Sequence, residues 1–163
     1  MTQQTKIALF PGSFDPFTAG HENVVRRALE LFDRVVVAVG INSSKQGLLT
    51  TDQRVQLIER VFADEPRVEV THYEGLTVGE CQRVGAKWIV RGVRGGADFD
   101  MERTNATVNA QIAPDIETVM ICTRPELEVV SSSVVRELLR FGGDVSKFMP
   151  QGININDYLN QQQ

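Results

Sequence analysis

The sequence predicts an α/β chain: one Rossmann-like domain, a parallel five-stranded sheet with helices on both faces. Three observations predict it. Short β-branched runs alternate with segments of helical spacing, the pattern of strand–helix–strand units joined by right-handed crossovers. Several runs are apolar almost throughout, as expected of strands covered on both sides. The chain of 163 residues suits a single core, and its 42% apolar and 23% charged residues are ordinary for a globular protein.

The elements follow in order. The first strand is read at 6–10 (KIALF), ahead of a helix whose stripe is Val24, Val25, Ala28, Leu29 and Phe32. The second strand, 34–40 (RVVVAVG), leads to a helix carrying Val55, Ile58, Val61 and Phe62. Thr50, three residues before Gln53, opens that helix with a capping box. The third strand is 67–73 (RVEVTHY), and TVGE at 77–80 repeats the capping pattern before a short third helix. The fourth strand is 87–92 (KWIVRG), followed by a helix over 97–112. The fifth is 116–122 (IETVMIC), and the last main helix starts at SSSVVRELL. A short helical tail is expected from about residue 143, fraying at the terminal NQQQ. No repeat, low-complexity tract or linker divides the chain.

Bulk properties exclude several classes. A net charge of −4 does not suit a protein that coats nucleic acid or an anionic membrane, so a polyanionic small substrate would need a local basic pocket. Cys81 and Cys122 are too few and too far apart for a disulfide framework or zinc site. They read as reduced, buried packing residues of a cytoplasmic protein. The amino terminus lacks the apolar core of a signal peptide, and no segment is long enough to cross a bilayer.

In sheets of this kind, ligands bind beyond the carboxyl ends of the strands, near the point where strand order reverses. The loops that matter are 11–21, 41–50, 74–77, 91–99 and 123–133, and every unusual polar cluster falls within them. The first contains GSFDPFTAGH. Gly12 permits close approach of backbone to a ligand, and Ser13 offers a hydroxyl and an N–H. His21 lies in the first helical turn, where free N–H groups and the dipole favour an anion. The same letters also fit a structural loop, with Asp15 and Pro16 turning the chain and Thr18 capping the helix. The strand–loop–helix setting favours the anion site.

The fourth loop reads RGVRGGADF. Arg91 and Arg94 after a buried strand make a phosphate clamp, since each guanidinium can bind two oxygens. Asp98 and Glu102 are also placed to pair with them. Lys45, in the loop after the second strand, fits either a solvated charge or a phosphate ligand. Of the serines at 131–133, Ser132 or Ser133 serves as an N-cap, and the three together offer a row of hydroxyl and N–H groups. His72 is alone within a strand pattern and reads as structural.

The sequence holds no GxxxxGK[ST], GxGxxG, HExxH, CxxC or GxSxG motif and no paired carboxylates, so no metal site of the chain's own is expected. Arginines, a lysine, a histidine, serines and helix N-termini bind phosphates but supply no nucleophile. The matching chemistry is in-line phosphoryl or nucleotidyl transfer, in which catalysis is positioning and charge stabilisation. An attacking phosphate is already anionic and needs no general base.

GSFDPFTAGH resembles the G-[ST]-F-D-P-x-T-x-G-H signature of the nucleotidyltransferase superfamily. That motif alone fits cytidylyltransferases and other adenylyltransferases. With RGVRGGADFDME, VVSSSVVRELL and GDVSKFMP, the chain resembles the phosphopantetheine adenylyltransferases in register from Ile7 to about Pro150. The resemblance implies transfer of the adenylyl group of ATP to 4′-phosphopantetheine, giving dephospho-coenzyme A and pyrophosphate. It implies that Ser13 and Phe14 contact ATP, with Ser13 also near the acceptor phosphate, and that His21 stabilises the transition state at the α-phosphorus. Lys45 and Arg91 would hold the phosphopantetheine phosphate and Thr77 its arm. Gly92, Val93, Arg94, Glu102 and the run Leu127, Glu128, Val129, Val130, Ser131, Ser132 and Ser133 would line the ATP site. It further implies Mg2+ with ATP, coenzyme A as feedback inhibitor and a homohexamer. Met101 stands where the family commonly has tyrosine, Thr77 where a longer apolar residue is common, and the 103–112 helix departs from the usual pattern.

Overall fold

The computed structural model of the protein describes residues 4–160. Five parallel strands, β1 (Ile7–Gly12), β2 (Arg34–Gly40), β3 (Val68–Tyr73), β4 (Trp88–Val93) and β5 (Glu117–Cys122), form one sheet in the order β3-β2-β1-β4-β5. The crossovers are α1 (Ala19–Ala28), α2 (Thr51–Val61), α3 (Thr77–Val84) and α4 (Gly96–Ile112), and α5 (Ser132–Arg140) follows β5. The expected α/β sheet with helices on both faces is therefore present.

Strand alternation builds two cores. Val35, Val37 and Val39 of β2 point to one face with Val24, Val25 and Ala28 of α1, Leu57 and Ile58 of α2 and Val135 of α5. Val36 and Ala38 point to the other, with Leu9, Ile89 and, from α3, Val78 and Cys81. The segment beyond residue 143 joins the first core. It forms a 3₁₀ turn (Ser146–Phe148) and α6 (Asn156–Leu159), and buries Val145, Met149, Ile153, Ile155 and Tyr158. The tip of the expected frayed tail, 161–163, lies outside the described residues.

Helix starts follow the capping chemistry only in part. Thr18 and Thr50 cap α1 and α2, each with a full capping box. The box expected at Thr77 does not form: Leu76 is the N-cap, without a side-chain hydrogen bond, and Thr77 is already helical. Its hydroxyl instead meets the Tyr73 hydroxyl at 3.0 Å, a local partner that competes for the capping oxygen. Cys122 also departs from expectation. Cys81 is buried, whereas Cys122 ends an edge strand and is exposed.

The sheet reverses direction at β1. The chain steps outward through β2 and β3, then returns to place β4 on the other side of β1. β1 pairs with β2 over six positions but with β4 only at Ala8↔Trp88 and Leu9↔Ile89. Beyond those pairs the two strands part, and the crevice opens there.

Candidate active site

Arg91 spans the gap between the parting strands. Its Nη1 donates to the Pro11 carbonyl at 2.5 Å, and Nε and Nη2 donate to the two carboxylate oxygens of Glu102 at 2.8 and 2.7 Å. Glu102 is the one buried residue of α4. Burying a carboxylate is costly unless it is paired, and the bidentate guanidinium supplies the pair. Arg94 pairs with Asp98 at 3.1 Å. Both acids named as partners from sequence thus hold the arginines they were expected to meet.

Glycines let the walls close in. A Cβ at Gly12 would lie 2.7 Å from the Phe14 ring, and one at Gly92 would lie 2.9 Å from Val24 Cγ2 on α1. Phe14 is buried with φ of 50°, and the Asp15–Pro16 peptide is cis. Phe14 and Phe17 stand 5.1 and 5.3 Å from the His21 ring, centroid to centroid.

These rings set the state of His21. The Thr18 backbone N–H donates to Nδ1 at 3.0 Å. Nδ1 therefore keeps its lone pair, and the proton of the neutral ring sits on Nε2. Burial lowers the His21 pKa to about 3, helped by the positive charges of Arg91 and Arg94. At neutral pH the residue is an uncharged N–H donor. The structural reading of the loop, with Thr18 capping the helix, is realised, and the nitrogen that closes the capping box also orients the His21 ring.

Three adjoining cavities meet at Ser13. One, of about 500 Å³, runs from Arg91 to Tyr73, Leu76, Thr77, Asn105 and Asn109. A second, of about 260 Å³, is lined by Phe14, His21, Gly92, Arg94, Val130, Ser131 and Ser132. Both are walled by Gly12, Ser13, Arg91 and Glu102. A third, of about 690 Å³, holds Lys45 with Asp15, Arg54 and Arg136. Lys45 lines the third cavity and neither of the other two.

Some expected residues stand outside these cavities. Val93 ends β4 buried, its carbonyl accepting from Thr123 N at 2.8 Å. Leu127 closes a 3₁₀ turn, while Glu128 and Val129 are exposed beyond it. The N-cap of α5 is Ser131, not Ser132 or Ser133, its oxygen accepting from Val134 N at 3.2 Å. The Ser132 hydroxyl donates to the Pro16 carbonyl at 2.7 Å, and Ser133 accepts from Arg136 at 3.2 Å. The three hydroxyls thus serve the local fold.

The sequence reading missed Arg54, Arg136, Asn105, Asn109 and the carboxylate role of Asp15. A usable signal existed for the two arginines. Arg54 lies four residues after the Thr50 cap and Arg136 four after Ser132, so each returns toward its own loop one helical turn later.

A parallel sheet whose reversal point opens onto a neutral imidazole, two arginines and a serine-capped helix defines a nucleotidyltransferase. A cytidylyltransferase-like family model matches residues 9–138. The chain is 49% identical over 149 residues to the phosphopantetheine adenylyltransferase of Phocaeicola vulgatus, covering 91% of this chain and 98% of that protein. It is 45% identical to that of Bacteroides thetaiotaomicron, with the same coverage of each. The chain belongs to the phosphopantetheine adenylyltransferase family. The fold is similar to a bifunctional NMN adenylyltransferase/ADP ribose pyrophosphatase of Francisella tularensis, at TM-score 0.74 and 15% identity. That match covers 97% of this chain and about half (49%) of the larger protein.

Proposed function

We propose that the protein transfers the adenylyl group of ATP to 4′-phosphopantetheine, giving dephospho-coenzyme A and pyrophosphate, in a reversible reaction. The observation that carries this reading is the convergence of Ser13, His21 and Arg91 on one crevice. A phosphate oxygen of the acceptor attacks the α-phosphorus of ATP. The bond from that phosphorus to the bridging oxygen breaks, and pyrophosphate leaves with the electron pair. No proton need be removed from the nucleophile.

The site's task is to hold two anions together and stabilise the charge that develops between them. His21 Nε2–H donates to a non-bridging oxygen at the α-phosphorus. Arg91 is the ligand of the acceptor phosphate, held in place by Glu102 and the Pro11 carbonyl. The cavity ending at Thr77, Asn105 and Asn109 suits the pantetheine arm, whose amides would meet the two carboxamides. The smaller cavity, with Phe14, Gly92, Arg94 and Ser131, suits ATP. Lys45 completes the phosphate cradle from the third cavity.

No group of three potential ligands occurs among the described residues, and Asp15, Asp98 and Glu102 are each engaged by N–H donors or guanidinium groups. Mg2+ would enter with ATP, bound to its phosphates, whose charge it would neutralise. Coenzyme A carries the same pantetheine arm, so it would compete as an inhibitor for the cavity that ends at Thr77, Asn105 and Asn109. Phe99, Met101, Val108 and Ile112 leave exposed apolar surface along α4, which supports assembly of the protein, as a homohexamer, through that helix. No helix among the described residues is long and apolar enough to cross a membrane, and a cytoplasmic location fits the substrates.

Substitution of Arg91 tests the assignment. Arg91→Ala should raise the KM for phosphopantetheine well above its effect on ATP, measured by pyrophosphate release. Equal effects on both substrates would remove Arg91 from the acceptor site.

A further inference from the structure

We propose that Asp15 is a positioning residue that clasps the Lys45 loop to the Ser13–His21 loop, so that the lysine is presented to the acceptor phosphate. This rests on the reading of Lys45 as a phosphate ligand. Every acceptor position that the Asp15 side chain uses serves the neighbouring loop or its helix. Oδ2 accepts from Leu48 N and Oδ1 from Leu49 N, both at 2.8 Å. Arg54 Nε lies 3.4 Å from Oδ1, and the two side chains are 11% and 10% exposed.

Arg54 closes the clasp from behind. Nε and Nη2 donate to the Leu49 carbonyl at 3.0 and 2.8 Å, and Nη1 donates to the Ser13 carbonyl at 3.2 Å. The Asp15 carbonyl accepts from Arg136 Nη1 on α5 at 2.7 Å. The Lys45 loop and α2 therefore meet at the Asp15 carboxylate through charge-assisted contacts, while α5 holds the backbone of the same residue.

Lys45 lies between two fixed points. β2 ends at Gly40, and the clasp begins at Leu48. Between them the chain turns on Asn42, whose carbonyl accepts from Lys45 N at 3.1 Å and whose Oδ1 accepts from Ser44 N at 3.1 Å. Gly47 makes the approach possible: a Cβ there would lie 2.0 Å from Arg54 Nη2 and 2.8 Å from Asp15 Oδ2. A side chain at 47 would press on both the Arg54 guanidinium and the Asp15 carboxylate and force the clasp open while leaving the Asp15 residue itself unchanged.

Asp15→Asn keeps the shape but sets an amide donor against one of the backbone N–H groups. It should lower kcat/KM for phosphopantetheine roughly tenfold or more while leaving the KM for ATP within about twofold. Gly47→Ala should do the same. In a Lys45→Ala background each should add less than about twofold, because its effect runs through the lysine. Amide exchange over residues 41–49 should quicken in both variants, with α1 unchanged. If Asp15→Asn does not fold, Gly47→Ala carries the same cycle. Losses that multiply in the double variants, equal effects on both substrates, or unchanged exchange at Leu48 and Leu49 would overturn the clasp. A folded wild type that released no pyrophosphate would sink the functional reading instead, and exchange would then judge the clasp alone.

Discussion

At the scale of single residues, the account turns on a histidine that stays uncharged. The unfolded chain binds a proton at His21 near pH 6.5, but the folded chain resists it until about pH 3. Between those values the unfolded state holds more protons, so stability contributed at this site falls as pH drops from 6.5 toward 3. We predict that thermal unfolding of the unliganded protein shows this loss and that His21→Gln shows less of it. The comparison is one of midpoints across that pH range. The Nε2–H donor is expected to contribute about 10²–10³-fold to turnover, so His21→Ala should lower kcat by that order while sparing ATP affinity. Glu102 makes a different demand. Glu102→Gln leaves the buried end of Arg91 without its counter-charge. Allowing for the 29% exposure of the arginine side chain, the cost should be about 1–3 kcal/mol by chemical denaturation. That carboxylate was read from sequence both as a partner of the arginines and, by resemblance, as an ATP ligand. Its hydrogen bonds favour the first role.

At the scale of elements, the crevice depends on how closely α1 can approach β4. Gly92 faces Val24, so Gly92→Ala should push the helix outward and cost roughly 1–3 kcal/mol. Adding Val24→Ala should restore much of the activity, though not all the stability, because the core loses methyl groups. Retained loss of activity in the double variant would show that the approach of α1 is not what Gly92 secures. The central strands β1 and β2 were legible because both of their faces are apolar, and the first two helices because their caps and stripes agree. What escaped was competition for single hydroxyls. Thr77 satisfies a helix-start pattern, but a nearby tyrosine takes its oxygen. The three serines looked interchangeable in sequence, yet backbone geometry gave each a separate partner. Cys122 looked buried from its neighbours, and its position at the end of an edge strand exposed it.

At the scale of the whole molecule, an acidic protein with a net charge of −4 sets Lys45, Arg54, Arg91, Arg94 and Arg136 around three adjoining cavities. His21, Arg91 and Arg94 were visible in sequence because they cluster where strands pass into helices: Arg91 near the end of β4, Arg94 just beyond it and His21 in the first turn of α1. Arg54 and Arg136 were hidden because helices carry them back to those loops. Since no protein cage for magnesium occurs among the described residues, Mg2+ alone should leave the melting temperature of the unliganded protein unmoved, whereas Mg2+ with ATP should raise it. A rise with the ion alone would point to a resident site. The most direct test of the central claim is pyrophosphate release by the folded protein supplied with magnesium, ATP and 4′-phosphopantetheine, with the organic product identified by mass. The account predicts dephospho-coenzyme A and pyrophosphate in equal amounts, requiring both substrates. No release, or faster release when CTP replaces ATP, would contradict it.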